Sequence, residues 1–179
     1  RSKRDAVTFT HQLSANGYAY RYTKVLRLTP GKPELVIEHT LRNTGEKPIQ
    51  TTQYNHNFFV IDGKPTGPAS VVGFPFELRP KRDLKDLAAA RGRDLRYLRE
   101  LRPGESVYSE LEGFGPTAAD YDITIRNTSA GAGVRIRGDR PIARLVYWSI
   151  RTTTCPEPYV AIDVPPGRET RWRYTYTFF

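Results

Sequence analysis

A histidine flanked by amides and aromatic rings is the first place in this sequence where chemistry could occur. This residue is His56, in the stretch YNHNFF, which follows a run, PIQTTQ, that is typical of a strand. If the strand continues, Tyr54, His56 and Phe58 share one face. Rings beside polar groups are typical of a sugar site, and Tyr54, Asn55 and Phe58 are the predicted substrate contacts. The alternative is a core histidine with satisfied nitrogens, the commoner role of an isolated histidine.

A glutamate between two prolines is the second candidate. It is Glu157, in the run TTTCPEPYVAIDV. Each proline fixes its own φ, and Pro158 also disfavours helical backbone at Glu157, so the carboxylate stands on stiff, extended backbone. Stiff backbone suits a positioned catalytic group, and an exposed glutamate at a rigid corner is the equal alternative. Together, His56 and Glu157 are the imidazole and carboxylate that general acid-base catalysis uses most often.

The other histidines and the single cysteine are weaker candidates. His39 alternates with Ile37 and Leu41, which predicts a core histidine, whereas His11 lies near a strand end and could face either way. Three scattered histidines have no recognisable ligand spacing, so no metal site is predicted. The single Cys155 excludes an internal disulfide, and with no histidine near it in sequence it is predicted to be an inert, buried thiol.

Period-two alternation predicts the strands that must position these residues. The run GYAYRYTKVLRL places Tyr18, Tyr20 and Tyr22 on one face, and ELVIEHTLRN alternates in the same way. The PGK between these two runs predicts a hairpin. Further strands are predicted at Ala6 to Leu13, Pro48 to Ile61, Glu105 to Leu111, Tyr121 to Asn127, Gly133 to Arg137, Ile142 to Arg151, Tyr159 to Val164 and Glu169 to Phe178.

Helical composition is confined to one segment, Asp83 to Arg91, which at about ten residues would make only a short surface helix or a turn. Turn signals such as DGKPTGP, RPGE and VPPGRE separate the predicted strands. The pattern predicts an all-β fold, an antiparallel β-sandwich with at most one or two short helices. The length of 179 residues suits one domain, residues 1–179.

Charge and hydropathy limit the partners. The net charge is +9, but lysines and arginines are dispersed along the chain, so a nucleic-acid partner is not expected. No apolar run approaches the ~20 residues of a membrane helix, so a membrane partner is not expected either. The sequence leaves the cellular compartment open, because no signal peptide is present and the chain does not begin with methionine.

The order of these features resembles the galactose mutarotase-like superfamily, the aldose 1-epimerase relatives, over nearly all of the chain. NHNFF resembles the family's Asn-His-aromatic signature. CPEPY, followed by PPGRETRWRYTYTF, resembles the family's closing Cys-x-Glu-Pro strand and the turn before its last strand.

The resemblance implies a β-supersandwich that binds an aldose, a hexose or a related sugar, in a cleft across one sheet. Glu157 would remove the proton of the anomeric hydroxyl while His56 protonates the ring oxygen, and ring opening followed by re-closure would give the other anomer. With a sugar between them, the two polar groups are expected about 5–8 Å apart. No metal or organic cofactor is implied.

Two departures from the family lead to further expectations. Complete family domains have strands ahead of AVTFTHQL that supply an arginine and a second histidine, whereas only RSKR and Asp5 precede it here. We therefore expect the chain to lack the first strands, and a longer protein or a partner chain, including a dimer, to complete the sandwich. The family's sugar-binding aspartate could be Asp62 or Asp120. The alternative function is a non-catalytic carbohydrate- or partner-binding module on the same sandwich.

Overall fold

Two antiparallel sheets form the computed structural model, which describes residues 4–179 and leaves residues 1–3 of the predicted domain outside the described part. The strands are β1 (Ala6–Ala15), β2 (Tyr18–Leu28), β3 (Glu34–Asn43), β4 (Ile49–Gln53), β5 (Ser70–Gly73), β6 (Arg79–Pro80), β7 (Ala88–Arg91), β8 (Asp94–Tyr97), β9 (Ser106–Glu112), β10 (Asp122–Asn127), β11 (Ala132–Gly138), β12 (Arg144–Ile150), β13 (Thr153–Val164) and β14 (Glu169–Phe178). The larger sheet has the order β1-β2-β3-β14-β11-β10-β5-β8-β7, and the smaller one β4-β13-β12-β9-β6. The predicted antiparallel sandwich is confirmed.

The core lies between the sheets and is rich in aromatic rings. In β14, Trp172, Tyr174 and Tyr176 point inward and are at most 3% exposed. They pack on the inward side chains of β3, where Ile37 and Leu41 are buried as alternation predicted. Burying a large apolar side chain of this kind contributes about 1.5–3 kcal/mol. The predicted β2–β3 hairpin is confirmed, because the two strands pair antiparallel along their length.

Of the short helix or turn predicted over Asp83 to Arg91, the structure has a turn followed by a strand, and no helix. Lys85 has a φ of 58°, which breaks any helical run, and its backbone N–H donates to the carboxylate of Asp83 across 2.8 Å. The alanines that suggested a helix form β7, which pairs with β8 across a turn at Gly92 with a φ of 60°. The described residues contain one helical element, a 3-10 turn at Ala118–Asp120, and no helix long and apolar enough to cross a membrane.

His39 is buried against aromatic rings, as its place in the alternation predicted. It is 1% exposed and stacks on Trp172, with ring centroids 4.9 Å apart. Its Nδ1 shares a 2.6 Å hydrogen bond with the Tyr22 hydroxyl, and within residues 4–179 its Nε2 has no hydrogen-bond partner. Burial, helped by the nearby charge of Lys24, lowers the pKa of His39 from 6.5 to about 4. The folded protein therefore holds this imidazole neutral at neutral pH.

This lowered pKa predicts acid sensitivity. The unfolded chain binds a proton at His39 below pH 6.5, and the folded chain binds it only near pH 4. Stability is therefore complete above pH 6.5 and is lost as the pH falls towards 4. Between pH 7 and pH 4, the wild type should lose about 3 kcal/mol more unfolding free energy than His39→Phe, which cannot titrate. Urea titrations at both pH values measure this difference in unfolding free energy. As a control, His11→Phe replaces an exposed histidine and should lose as much unfolding free energy between the two pH values as the wild type does. Equal losses in the wild type and His39→Phe would contradict the lowered pKa.

Strand β1 lies at one edge of the larger sheet. Among the described residues β2 is its paired neighbour, and β1 carries no charged side chain. Val7, Phe9 and Leu13 on its inward side are 40%, 55% and 47% exposed, so within residues 4–179 no layer of side chains covers this end of the sheet. Uncharged, apolar edge strands are prone to pair with another chain.

We predict that β1 mediates self-association of this chain. The sedimentation coefficient of the wild type should rise with concentration, and Phe9→Lys with Leu13→Lys should abolish the rise by charging the apolar edge. The matched control is Leu98→Lys, which charges an apolar side chain that is 49% exposed elsewhere on the surface. A wild type that stays monomeric at every accessible concentration would contradict this prediction.

Candidate functional site

The segment between β4 and Phe59 keeps the register of a strand without its regular hydrogen bonds. At one end Gln53 pairs with Val160, and at the other Phe59 and Thr154 exchange two backbone hydrogen bonds of 3.0 and 3.1 Å. Both pairs belong to the same antiparallel register. The predicted strand Pro48 to Ile61 is therefore correct in its direction, but its regular ladder ends at Gln53.

Two prolines explain the missing ladder. Directly opposed residues of an antiparallel pair alternate between hydrogen-bonded and non-hydrogen-bonded positions. Since Phe59 and Thr154 are a hydrogen-bonded pair, the next two such positions on the second strand are Pro156 and Pro158, which have no N–H to donate. On its other edge β13 pairs continuously with β12, because the missing donors do not face that side.

Side chains hold the segment where the backbone cannot. The amides of Asn55 and Asn57 both donate to the Tyr176 hydroxyl, across 3.0 and 3.1 Å. Gln53 donates to the Asn55 side-chain oxygen across 3.0 Å. Burial raises the pKa of Tyr176, so the group that accepts these two hydrogen bonds stays a neutral hydroxyl. Asn55 thus faces the core, on the side opposite to His56, and its predicted sugar contact is not supported by this orientation.

The register places His56 directly opposite Glu157, at a non-hydrogen-bonded position where side chains come closest. His56 Nδ1 lies 3.1 Å from Glu157 Oε1 and shares a 3.0 Å hydrogen bond with Cys155 Sγ. The histidine side chain is 42% exposed and the glutamate side chain 8%. The structure therefore brings the two predicted catalytic groups together on one face. The separation of about 5–8 Å expected for them is wrong, because their polar atoms are in contact and leave no room for a sugar between them.

Cys155 is buried, as predicted, but it has a histidine partner that its sequence neighbourhood does not reveal. His56 lies 99 positions away in sequence and is in contact with its sulfur. Burial raises the pKa of Cys155 well above its ordinary value, and the charge of Glu157 raises it further. The cysteine is thus a neutral thiol that contacts the imidazole from its buried side.

Aromatic rings form the walls around this pair. Phe58 lies 4.4 Å from the His56 ring, and Trp148 meets the same ring edge-on at 5.6 Å. On the other side Tyr54 stacks on Tyr159, with centroids 4.1 Å apart. Phe58 is 59% exposed, so an apolar surface is open to solvent beside the imidazole. These rings lie on the outer face of the smaller sheet, away from the core that Asn55 faces.

Sequence reasoning missed Trp148 and Tyr159 because it began the penultimate strand too late. The observed β13 runs through both prolines and pairs with β12, which places Trp148 opposite Cys155. Prolines argue against a strand interior, so the predicted strand started only at Tyr159. Extending the predicted strand back to Thr153 and pairing it with the preceding strand as a hairpin would have placed Trp148 beside Cys155.

The remaining candidates lie apart from this cluster. His11 contacts Tyr20 near the edge of the larger sheet. Asp62 lies in a turn with a φ of 52°, and the Asp120 carboxylate accepts a hydrogen bond from the Gly115 backbone. Neither aspartate has a described contact with His56.

No protein-family model and no curated protein matches the sequence, but solved structures do. A protein from Klebsiella pneumoniae named as a candidate aldose 1-epimerase matches with a TM-score of 0.72 at 15% identity, over 97% of this chain and 50% of its own. A GalM/aldose epimerase homologue from C. elegans matches with a TM-score of 0.72 at 14% identity, over 100% and 67%. The chain has the galactose mutarotase-like fold. A galactose mutarotase-like protein from Lactobacillus casei also matches, with a TM-score of 0.68 at 15% identity, over 99% and 71%.

This chain spans half to about two thirds of the length of the first two of these mutarotase-like structures. Their likeness establishes the fold that the motifs indicated. At 14–15% identity this likeness concerns the fold and not the chemistry of the His56 and Glu157 pair.

The hydrogen bonds from Asn55 and Asn57 to Tyr176 form a side-chain tether that is predicted to stabilise the segment that carries His56. Tyr176→Phe removes the hydroxyl that accepts both amides, so it should cost about 1–3 kcal/mol of unfolding free energy. It should also speed amide exchange between Tyr54 and Phe58, where regular backbone pairing is absent. Tyr108→Phe is the control, since that ring is 38% exposed and packs on Arg82. Equal costs for the two changes, with unchanged exchange, would show that the tether does not hold the segment.

Proposed function

We propose that this protein is an aldose 1-epimerase-like enzyme that interconverts the anomers of a hexose or related aldose. The contact between His56 and Glu157 on an open, aromatic face carries the proposal. An imidazole and a carboxylate are the two groups needed to move protons at both oxygens of a cyclic hemiacetal. The fold shared with proteins named as aldose epimerases supports the same reading.

The reaction needs two proton transfers and no net change in the enzyme. Glu157 takes the proton of the anomeric hydroxyl while His56 gives a proton to the ring oxygen, and the bond between C1 and the ring oxygen breaks. The open aldehyde rotates about its C1–C2 bond. Re-closure on the other face of the carbonyl returns both protons and gives the other anomer.

The substrate approaches from the exposed side of the imidazole. The polar atoms of His56 and Glu157 touch, so the sugar lies across the pair. Phe58 and Trp148 offer apolar faces on which the C–H face of a pyranose can stack. Cys155, hydrogen-bonded to the imidazole, fixes the ring plane from the buried side.

Polarimetry on freshly dissolved α-glucose and α-galactose tests the proposal. Glu157→Gln removes the base and His56→Asn the acid, so each should lower the excess rate over buffer by about 10²–10⁴-fold. Matched controls are Glu46→Gln and His11→Asn, which make the same changes on exposed side chains away from the pair. A sugar that stacks on Trp148 should quench the fluorescence of this residue. The quenching should persist in Glu157→Gln, because glutamine keeps the shape of the glutamate side chain.

A second candidate function is favoured by the exposed rings beside His56. Phe58 is 59% exposed and meets Trp148 edge-on, so this aromatic face suits a module that binds a sugar without catalysing its mutarotation. If the protein binds a sugar but mutarotation stays at the buffer rate for every aldose, the enzyme proposal is wrong and the binding module takes its place. Absence of both binding and activity would contradict both functions.

A further inference from the structure

Three side chains of different chemistry converge beneath the exposed edge of His56. A nitrogen of His56, the sulfur of Cys155 and a carboxylate oxygen of Glu157 all lie within 4.8 Å of one another. Nδ1 is 3.0 Å from Sγ and 3.1 Å from Oε1. Among residues 4–179 this is the one group of three histidine, cysteine or acidic side chains with such spacing.

We propose that His56, Cys155 and Glu157 form a binding site for a divalent transition-metal cation of the zinc class. Imidazole nitrogen, thiolate sulfur and carboxylate oxygen are the three donor types that zinc takes in proteins. Three protein ligands with one open position are typical of zinc sites that keep an exchangeable ligand. The exposed side of His56 leaves room for that fourth ligand, a water molecule.

The distances suit a tetrahedral ion after a small adjustment. Metal-ligand bonds of about 2.0–2.3 Å at tetrahedral angles separate donor atoms by about 3.4–3.6 Å. The two contacts of Nδ1 must therefore lengthen by about half an ångström. The movement is available to His56, because its side chain is 42% exposed and its segment lacks regular backbone pairing.

The other two ligands need little movement. Cys155 and Glu157 are two positions apart on one strand, so both point to the same face of the smaller sheet. Pro156 and Pro158 stiffen the backbone that carries them. A rigid pair of ligands reduces the conformational entropy lost when the ion binds. On binding, the metal-sulfur bond replaces the thiol S–H bond and the proton leaves to solvent.

This site and the proposed reaction use the same lone pairs, so a bound cation and acid-base catalysis exclude one another. The metal site itself does not depend on the proposed function, since the ligands converge whether or not a sugar binds. Binding can therefore be measured without sugar, and its failure would leave the polarimetry result untouched.

The test is metal binding by chelator-treated protein. Equilibrium dialysis should give one zinc per chain, and cobalt added in place of zinc should give the intense thiolate-to-cobalt charge-transfer absorption that reports a sulfur ligand. Cys155→Ser should abolish this absorption, and His56→Ala and Glu157→Gln should each weaken zinc binding at least tenfold. The control is His11→Ala, which removes an exposed histidine elsewhere and should bind as the wild type does.

Several results would overturn the site. The wild type binding no zinc, or binding it without the cobalt charge-transfer absorption, would do so. Because Cys155 is buried and its serine variant could fail to fold, His56→Ala serves as the second variant, with circular dichroism to verify its fold. A folded His56→Ala protein that binds zinc as tightly as the wild type would also overturn the proposal.

Discussion

The antiparallel register between residues 53–59 and 154–160 is the constraint on which the candidate site depends. It is fixed by regular pairing on one side and by the Phe59 and Thr154 bridge on the other. The register also fixes which residues between these pairs lie opposite each other, because each residue of one segment faces a single residue of the other. A shift of one residue would move His56 to the core face and separate it from Glu157.

The prolines that stiffen Glu157 also remove the hydrogen bonds that would hold His56. The molecule compensates with side chains, since the two asparagines beside His56 reach into the sandwich and share the Tyr176 hydroxyl. Tyr176 belongs to the larger sheet, whereas Glu157 belongs to the smaller one. The geometry of the site therefore depends on the packing of one sheet against the other, although all of its exposed groups lie on a single face.

The two proposals for this protein place different occupants on the same three polar side chains. In the absence of a ligand, the imidazole lies against a buried carboxylate and a neutral thiol, with aromatic rings on either side. A sugar arriving over the rings would find groups able to exchange protons with it, and a soft cation would find three donor atoms. What occupies the site decides between them, because both occupants need the lone pairs of His56 and Glu157.

The local geometry of strands allowed much of this fold to be predicted from the sequence. Side chains on a strand alternate between faces, so the β2–β3 hairpin, the buried His39 and the shared face of Tyr54, His56 and Phe58 could be predicted from neighbouring residues. Only the tertiary structure decided which distant residues meet. The contact of His56 with Cys155 joins residues 99 positions apart and depends on a register that alternation does not encode. Helical composition likewise misled at the alanines of β7, where pairing with β8 outweighed a weak local preference.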